Sequence, residues 1–197
     1  MKSVLKKGNK QPNPNKPRRW NAVAKRVCHL DKILGVEVGV YKGTMSKGLL
    51  ETLPQLNLDL VDRYIVTPPG DSYFDGSIKL ARMSQQEFDS AFQDAKDNVV
   101  RFANRCTFYI MESREASKHI PNGSRDFIFI DADHSFIGVT NDLTYWVPKV
   151  KPGGWICGHD YAHPDQGEVK RAVEEFFTKE QLGRLQLDVQ KTWFIQL

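Results

Sequence analysis

The chain has 197 residues, of which 40% are hydrophobic and 26% charged, as is typical of one globular domain. This composition excludes collagen, coiled-coil arrays and wholesale disorder. No apolar run approaches the roughly 20 residues that a membrane helix needs, and the basic N-terminal segment lacks the apolar region of a secretory signal. The three widely spaced cysteines form no CxxC pair, which predicts reduced thiols and a cytoplasmic protein.

The formal net charge of +4 is unevenly distributed along the chain. Residues 1–19 carry seven of the 28 basic residues and no acidic one, so the rest of the chain has 21 basic and 24 acidic residues and a net charge of −3. We predict a disordered tail over 1–19 and a single domain over 20–197. The tail is either a solvated, mobile leader or an electrostatic arm for nucleic acid or anionic surfaces. A folded nucleic-acid domain usually carries its positive charge on the fold itself, so a nucleic-acid substrate is disfavoured but stays open.

Short apolar runs alternate with segments of helical periodicity from residue 33 onward. In chain order we predict a strand at Ile33–Val40, a helix at Thr44–Leu53 with Thr44 as N-cap, a strand at Leu56–Asp62, an irregular segment at 64–86 with Tyr73 and Phe74 as candidate lid residues, a helix at Glu87–Asn104, strands at Cys106–Met111 and Asp126–Asp131, a helix at Ile137–Trp146, a turn at Pro152–Gly154, a strand at Trp155–Gly158, a helix at Glu168–Thr178, and strands at Leu185–Val189 and Thr192–Leu197.

This alternation predicts an α/β fold with a mostly parallel, seven-stranded sheet and helices on both faces. The last two strands are too close in sequence for a helical crossover, so they are expected to pair antiparallel as a hairpin. In open sheets of this kind, ligands bind beyond the carboxyl ends of the strands. Candidate site residues are therefore those that follow each strand.

The first strand runs into a glycine-rich loop. Its glycines at 35, 39 and 43 have the spacing G-x3-G-x3-G, and the absence of G-x-G-x-x-G disfavours a dinucleotide enzyme. Gly39 and Gly43 still permit a ligand to approach the backbone closely. Glu37 is unusual in a buried strand and is either an edge carboxylate or an acceptor for a ligand ammonium or loop backbone groups. Asp62, at the end of the second strand, is an acid at a position that commonly binds ribose hydroxyls.

The densest cluster of ionisable residues follows the fourth and fifth strands. Asp131, Asp133 and His134 come directly after an apolar strand, and His159 and Asp160 end the next one. Adjacent strands would bring Asp131 and Asp160 together, and a hard cation such as Mg²⁺ would relieve the repulsion of their carboxylates. His159 would add a nitrogen ligand, which suits Mn²⁺ or Zn²⁺ better. The alternative is a cluster of solvated acids that holds no metal.

These residues lie in the runs E-V-G-V-Y-K-G, L-V-D, F-I-F-I-D-A-D-H-S-F, K-P-G-G and G-H-D-Y. Together the runs resemble class I S-adenosylmethionine-dependent methyltransferases, and more narrowly the small-molecule O-methyltransferases with D-A-D-H-S and G-H-D-Y signatures, over about residues 33–177. The resemblance implies a Rossmann-like methyltransferase fold with an antiparallel last strand. It also implies a set of cofactor contacts: Glu37, Gly39, Tyr41 and Gly43 around the methionine part, Asp62 at the ribose, Glu112 and Ser113 beside the adenine, and Asp131 below the sulfonium.

The same resemblance implies the chemistry of the cluster. Asp131, His159 and Asp160 match the ligand positions of metal-dependent members, although His159 departs from the usual Asp, Glu or Asn. Asp133 or His134 falls where relatives place a base, and with Asp131 they form the predicted catalytic set. A base would remove the proton of a hydroxyl acceptor, and Mg²⁺ or another divalent ion would lower the pKa of that hydroxyl. Asp131 lacks the following Pro-Pro-aromatic sequence of many base-amino methyltransferases, which also disfavours a nucleic-acid substrate.

The sequence therefore predicts a cytoplasmic O-methyltransferase that uses S-adenosylmethionine and acts on a hydroxyl of a small molecule or sugar. A metal requirement is left open, and a homodimer is expected by analogy alone. Three alternatives remain. The first is an RNA-modifying methyltransferase recruited by the basic tail, the second is a cofactor-binding protein without catalysis, and the third is a metal hydrolase built on the Asp and His cluster.

Overall fold

A computed structural model of the protein describes residues 17–66, 82–162 and 167–197. In these residues the strands form one sheet in the order β3–β2–β1–β4–β5–β7–β6. The elements in chain order are α1 (Arg19–Val27), β1 (Ile33–Val38), α2 (Thr44–Thr52), β2 (Leu56–Asp62), α3 (Gln85–Val99), β3 (Cys106–Ile110), α4 (Ser113–Lys118), β4 (Arg125–Ile130), α5 (Phe136–Trp146), β5 (Val150–Gly158), α6 (Gly167–Phe176), α7 (Lys179–Leu182), β6 (Gln186–Asp188) and β7 (Thr192–Gln196).

The strand directions confirm the predicted fold class. Strands β1 to β5 pair parallel with their neighbours, while β7 pairs antiparallel with both β5 and β6. The hairpin is required because only three residues, 189–191, separate β6 from β7. The sheet is therefore mostly parallel and seven-stranded, with an antiparallel last strand.

Helices cover both faces of the sheet because the buried strands alternate with a period of two. In β4, Phe127 and Phe129 point to a core shared with α1, α2 and α3. Ile128 and Ile130 point to the opposite core, which is shared with α4, α5 and α6. Such strands read as continuous apolar runs, which is why their positions were predictable from the sequence.

Several element boundaries differ from the predictions. The N-cap of α2 is Gly43 rather than Thr44, because the chain enters the helix with φ at +68°. Strand β1 ends at Val38, and Pro152–Gly154 lies within β5. Arg125 of β4 pairs with Val150 of β5, and the next pair is Phe127 with Trp155, so β5 has more residues than β4 between these two pairs. The predicted turn is therefore a bulge within β5.

Three helices, α1, α4 and α7, were not predicted. The first begins at Arg19, so the last residue of the predicted tail belongs to a helix. Residues 1–16 of the predicted tail lie outside the described residues, as do the candidate lid residues Tyr73 and Phe74. Within the described ranges, the structure has no helix both long and apolar enough to cross a membrane, and all three cysteines are free thiols.

Helix α1 is anchored on the hairpin formed by β6 and β7. The Arg26 guanidinium donates to Asp188 Oδ2 at 2.9 Å and to Gln186 Oε1 at 2.9 Å, and it lies 3.6 Å from the ring centroid of Phe194. Lys25 forms a second ion pair with Asp188. A buried arginine with carboxylate, amide and aromatic partners fixes the orientation of its helix, because the planar guanidinium allows few alternative geometries.

Candidate functional site

The carboxyl ends of four neighbouring strands meet at one edge of the sheet. Val38 of β1 is in register with Val61 of β2 and with Ile130 of β4, and Ile130 is in register with Gly158 of β5. The residues that follow these positions therefore lie side by side, at the place where open α/β sheets bind ligands.

The loop after β1 is held in shape by Asp62. Its Oδ2 accepts the backbone N–H groups of Val40 at 3.0 Å and Tyr41 at 2.8 Å, and its Oδ1 accepts that of Tyr64 at 3.1 Å. These bonds compensate for backbone strain, because Tyr41 and Tyr64 have φ values of +50° and +47°. Burial is the largest influence on Asp62 and raises the pKa of its carboxyl despite the three bonds.

The same loop passes very close to the segment after β4. Gly39 has a φ of +90°, and a Cβ atom at this position would lie 2.3 Å from the backbone oxygen of Asp131. Asp131 N–H in turn donates to the carbonyl of Val38 at 2.8 Å. The glycine therefore permits the two loops to lie against each other below the cleft.

Glu37 lies under this loop with 1% of its surface exposed. Its Oε2 accepts the hydroxyl of Ser46 in α2 at 2.6 Å. Burial raises the pKa of Glu37 from 4.5 to about 8, so the side chain carries its proton at neutral pH. It is therefore an internal acceptor rather than an edge carboxylate, and it does not line the cleft described next.

A cleft of about 480 Å³ opens between the loops after β1, β2, β3 and β4. This volume is within the range of small-molecule sites. Its walls combine apolar side chains with carboxylates. The predicted residues that line it are Gly39, Tyr41, Asp62, Glu112, Ser113, Asp131 and Asp133, and lining residues that were not predicted include Arg63, Tyr64, Met111, Ile137, Asp142 and Tyr145.

Ser113 is part of a buried polar chain at one wall of the cleft. Its hydroxyl donates to Asp142 Oδ1 at 2.5 Å and accepts the indole N–H of Trp146 at 2.8 Å. Asp142 is 4% exposed, and burial raises its pKa from 3.8 to about 7. The sequence contained a signal for this residue, because Asp142 interrupts the apolar face of α5 formed by Val139, Leu143 and Trp146.

The Asp142 carboxyl is expected to make the stability of the protein fall as pH rises. Its folded pKa lies above its unfolded value, so the folded state retains a proton that the unfolded state releases between about pH 4 and 7. Asp142→Asn removes this loss, and at pH 8 we expect it to be more stable than the wild type by up to about 4 kcal/mol, the equivalent of a pKa raised from 3.8 to about 7. Urea unfolding of both proteins at pH 5 and 8 measures the difference, and parallel pH profiles would contradict the assignment.

Asp131 lies at the centre of a charged cluster. Its Oδ2 accepts a hydrogen bond from Arg19 Nη1 at 2.5 Å, and its Oδ1 lies 3.3 Å from His134 Nε2. Burial by itself would lower the pKa of His134, but the carboxylates of Asp131, Asp160 and Asp133 outweigh it and raise the pKa. Arg19 was not predicted as a site residue.

The predicted metal ligands are brought together only in part. One ligand atom each from Asp131, His134 and Asp160 lies within 4.8 Å of the others, which fits a divalent cation with mixed nitrogen and oxygen ligands. His159 Nδ1 instead lies 3.0 Å from Asp160 Oδ1 and 3.7 Å from Asp131 Oδ1, outside that set. The chemistry of the donors fits a metal, but one oxygen of Asp131 is already bound to Arg19.

The remaining predicted residues have clear positions. Gly43 caps α2 against Ala95 of α3, so it shapes the loop rather than lining the cleft. Glu112 is the N-cap residue of α4 and pairs with Arg63. Asp133 Oδ1 accepts the N–H of Ser135 at 2.8 Å at the start of α5.

A family model described as a methyltransferase domain matches residues 36–161, which include the four strand ends and both sides of the cleft. A search of curated proteins found no match.

Solved structures share the fold at low sequence identity. The O-methyltransferase NovP is 18% identical with a TM-score of 0.64, over 90% of this chain and 76% of that one. The O-methyltransferase TomG from Streptomyces achromogenes, in complex with SAM, is 14% identical with a TM-score of 0.57, over 90% and 77%. An O-methyltransferase from Bacillus cereus, in complex with SAH, is 12% identical with a TM-score of 0.57, over 90% and 78%. At these low identities the comparison shows a shared fold and does not identify the reaction of this chain.

Proposed function

Since the chain belongs to the family of methyltransferase domains, we propose that it is an S-adenosylmethionine-dependent enzyme that methylates a hydroxyl of a small molecule or sugar. The observation that carries this proposal is the cleft between the Asp62-bound loop and Asp131. Two structural neighbours contain SAM and SAH, which supports the choice of cofactor. The O-methyltransferase neighbours support a hydroxyl as the acceptor.

The cleft fits a cofactor with an adenosine part and a sulfonium. Apolar side chains such as Met111 and Ile137 line it and would contact a flat base. Asp62 keeps one unused lone pair, on Oδ1, beside its three backbone bonds and would accept a ribose hydroxyl there. Asp131 places negative charge at the border of the cleft, where a sulfonium is stabilised. When bound, the cofactor supplies an electrophilic methyl group.

His134 is the proposed acceptor of the hydroxyl proton. Its Nε2 faces Asp131 and its Nδ1 lies 3.6 Å from Asp160 Oδ2, so both carboxylates stabilise the imidazolium that forms when it takes a proton. Asp133 supports the start of α5 through Ser135 and is proposed to shape the acceptor side of the cleft. A divalent ion at Asp131, His134 and Asp160 would lower the pKa of the acceptor hydroxyl, but one oxygen of Asp131 is already paired with Arg19, so the proposed mechanism relies on His134.

Calorimetric titration of SAM and SAH into the purified protein tests the proposed function first. We expect micromolar binding that weakens at least about tenfold in Asp62→Asn, because that variant weakens the acceptor for both the loop and the ribose. Asp59→Asn is the matched control, since Asp59 lies on the same strand but is paired with Arg125 away from the cleft. Methyl transfer to a panel of hydroxylated compounds then identifies the acceptor. Failure of SAM and SAH to bind would overturn the proposal.

A further inference from the structure

The Arg19 guanidinium binds Asp131, one of the three residues that could hold a metal ion. Its guanidinium donates to Asp131 Oδ2, and its positive charge also acts on the buried carboxyl of Glu37. Among the described residues, it is the arginine or lysine that forms an ion pair with Asp131. The cluster thus has a cation that belongs to the chain itself.

The position of Arg19 is determined by the packing of α1. Arg19 N–H donates to Gln190 Oε1 at 3.2 Å in the hairpin turn, and Arg26, two turns further along, is bound to Asp188. On the other side, Trp20 packs against Gly48 of α2, where a Cβ atom would lie 2.3 Å from the indole. A helix fixed at both ends and along one face presents its first residue at a defined place. The contact with Asp131 is therefore built into the fold.

We infer that Arg19 is a tethered counter-ion of the Asp131, His134 and Asp160 cluster, and that it excludes divalent cations from these ligands in the folded protein. A divalent cation bound by this cluster would share the Asp131 carboxylate with the Arg19 guanidinium. The guanidinium would repel it, because like charges on the two oxygens of one carboxylate interact strongly in a partly buried site. Removal of the guanidinium leaves two carboxylates and an imidazole within 4.8 Å of one another, which is a ligand set for Mn²⁺ or Zn²⁺.

This inference assigns a role to α1 that the methyltransferase match does not cover, since that match begins at residue 36. It does not depend on the cofactor or on the acceptor. For the proposed methyl transfer, which rests on the proposed function, the pairing of Asp131 with a side chain instead of a metal predicts activity without added metal and in the presence of chelators.

The test is a titration of the cofactor-free protein with Mn²⁺, followed by electron paramagnetic resonance of the free ion. We expect the wild type to bind Mn²⁺ in this cluster at least tenfold more weakly than Arg19→Gln. Arg19→Lys retains the charge and is expected to resemble the wild type. Arg18→Gln is the matched control, because Arg18 lies over the Trp20 ring instead of at the cluster.

The double variant Arg19→Gln with Asp160→Asn locates the new binding. We expect it to lose the gain in Mn²⁺ affinity, while circular dichroism shows that α1 is retained in each variant. Equal Mn²⁺ affinity of wild type and Arg19→Gln would overturn the inference, as would tighter binding by the wild type. A gain that survives Asp160→Asn would overturn it too, because the ion would then be bound elsewhere. These outcomes are separate from the SAM titration, so the two proposals fail independently.

Discussion

Gly39→Ala is expected to lower the free energy of unfolding by about 3–5 kcal/mol and to abolish cofactor binding. Two effects add at this residue. A residue with a Cβ atom at a φ of +90° is strained, and that Cβ would lie 2.3 Å from the oxygen and 2.5 Å from the carbon of the Asp131 backbone. The Asp131 backbone is held by its N–H bond to Val38 and cannot move aside cheaply, so the loops after β1 and β4 must separate.

Gly123→Ala separates strain from crowding. Gly123 also has a positive φ, at +60°, but a Cβ atom there would have no neighbour within 4 Å. We expect this control to cost about 1 kcal/mol and to leave the binding of SAH unchanged. Urea unfolding and calorimetry of both variants supply the comparison. Equal stability of Gly39→Ala and Gly123→Ala would contradict the explanation, because it would show that crowding between the two loops adds nothing to the strain at Gly39.

Binding of SAM at pH 7 is expected to release about one proton from Glu37. In the free protein the pKa of this buried carboxyl is about 8, so the proton is bound at neutral pH. The proposed cofactor brings an ammonium group to the loop above Glu37, and a nearby positive charge favours the ionised form. The release should fade as pH rises well above 8, where the free protein has already lost the proton.

Titrations in buffers of different ionisation enthalpy measure this release. Glu37→Gln should abolish it and weaken SAM binding about tenfold to a hundredfold, since an interaction with a charged group is lost. Glu51→Gln in α2 is the control, because Glu51 is exposed and pairs with Arg101. Proton release that persists in Glu37→Gln would assign the linkage to another group and contradict the coupling between Glu37 and the cofactor ammonium.

Glu37 also links the site to stability. Its folded pKa lies above the ordinary value of 4.5, so the stability it contributes is full at low pH and falls as pH rises to about 8. The hydroxyl of Ser46 partly offsets the burial. A site that stabilises a bound cation in this way is least stable when it is empty and the pH is high.

The central strands were predictable because their environment is simple. Strand β2 was predicted with its observed bounds, Leu56–Asp62, since its buried leucines alternate with polar residues at the period of two that is typical of a strand. Helix α4 has only six residues, too few to show a helical period. Helix α1 follows a basic, proline-containing segment, so its short apolar face did not stand out. In both cases tertiary packing, rather than local pattern, stabilises the helix.

The candidate site was predictable as a set of strand ends but not as a set of contacts. The sequence placed Asp62 and Asp131 at the sheet edge, since the carboxyl ends of parallel strands share that edge. It did not predict Arg19 beside Asp131, because these residues are 112 positions apart and meet only when α1 docks. The pattern also favoured His159 as a metal ligand, whereas His134 lies in the observed set. The sequence pattern cannot show which histidine side chain approaches the two carboxylates, because that depends on the conformation of the loops after β4 and β5.

The anchoring of α1 also sets an order of events during synthesis. Arg26 and Asp188 are 162 positions apart, and a ribosome that adds about 5–20 residues each second separates their appearance by roughly 10–30 s. Strands β1, β2 and β4 are all synthesised during that interval, while α1 still lacks the ion pair that fixes its orientation. The nascent chain therefore contains Asp131 before the ion pair between Arg26 and Asp188 can hold Arg19 beside it.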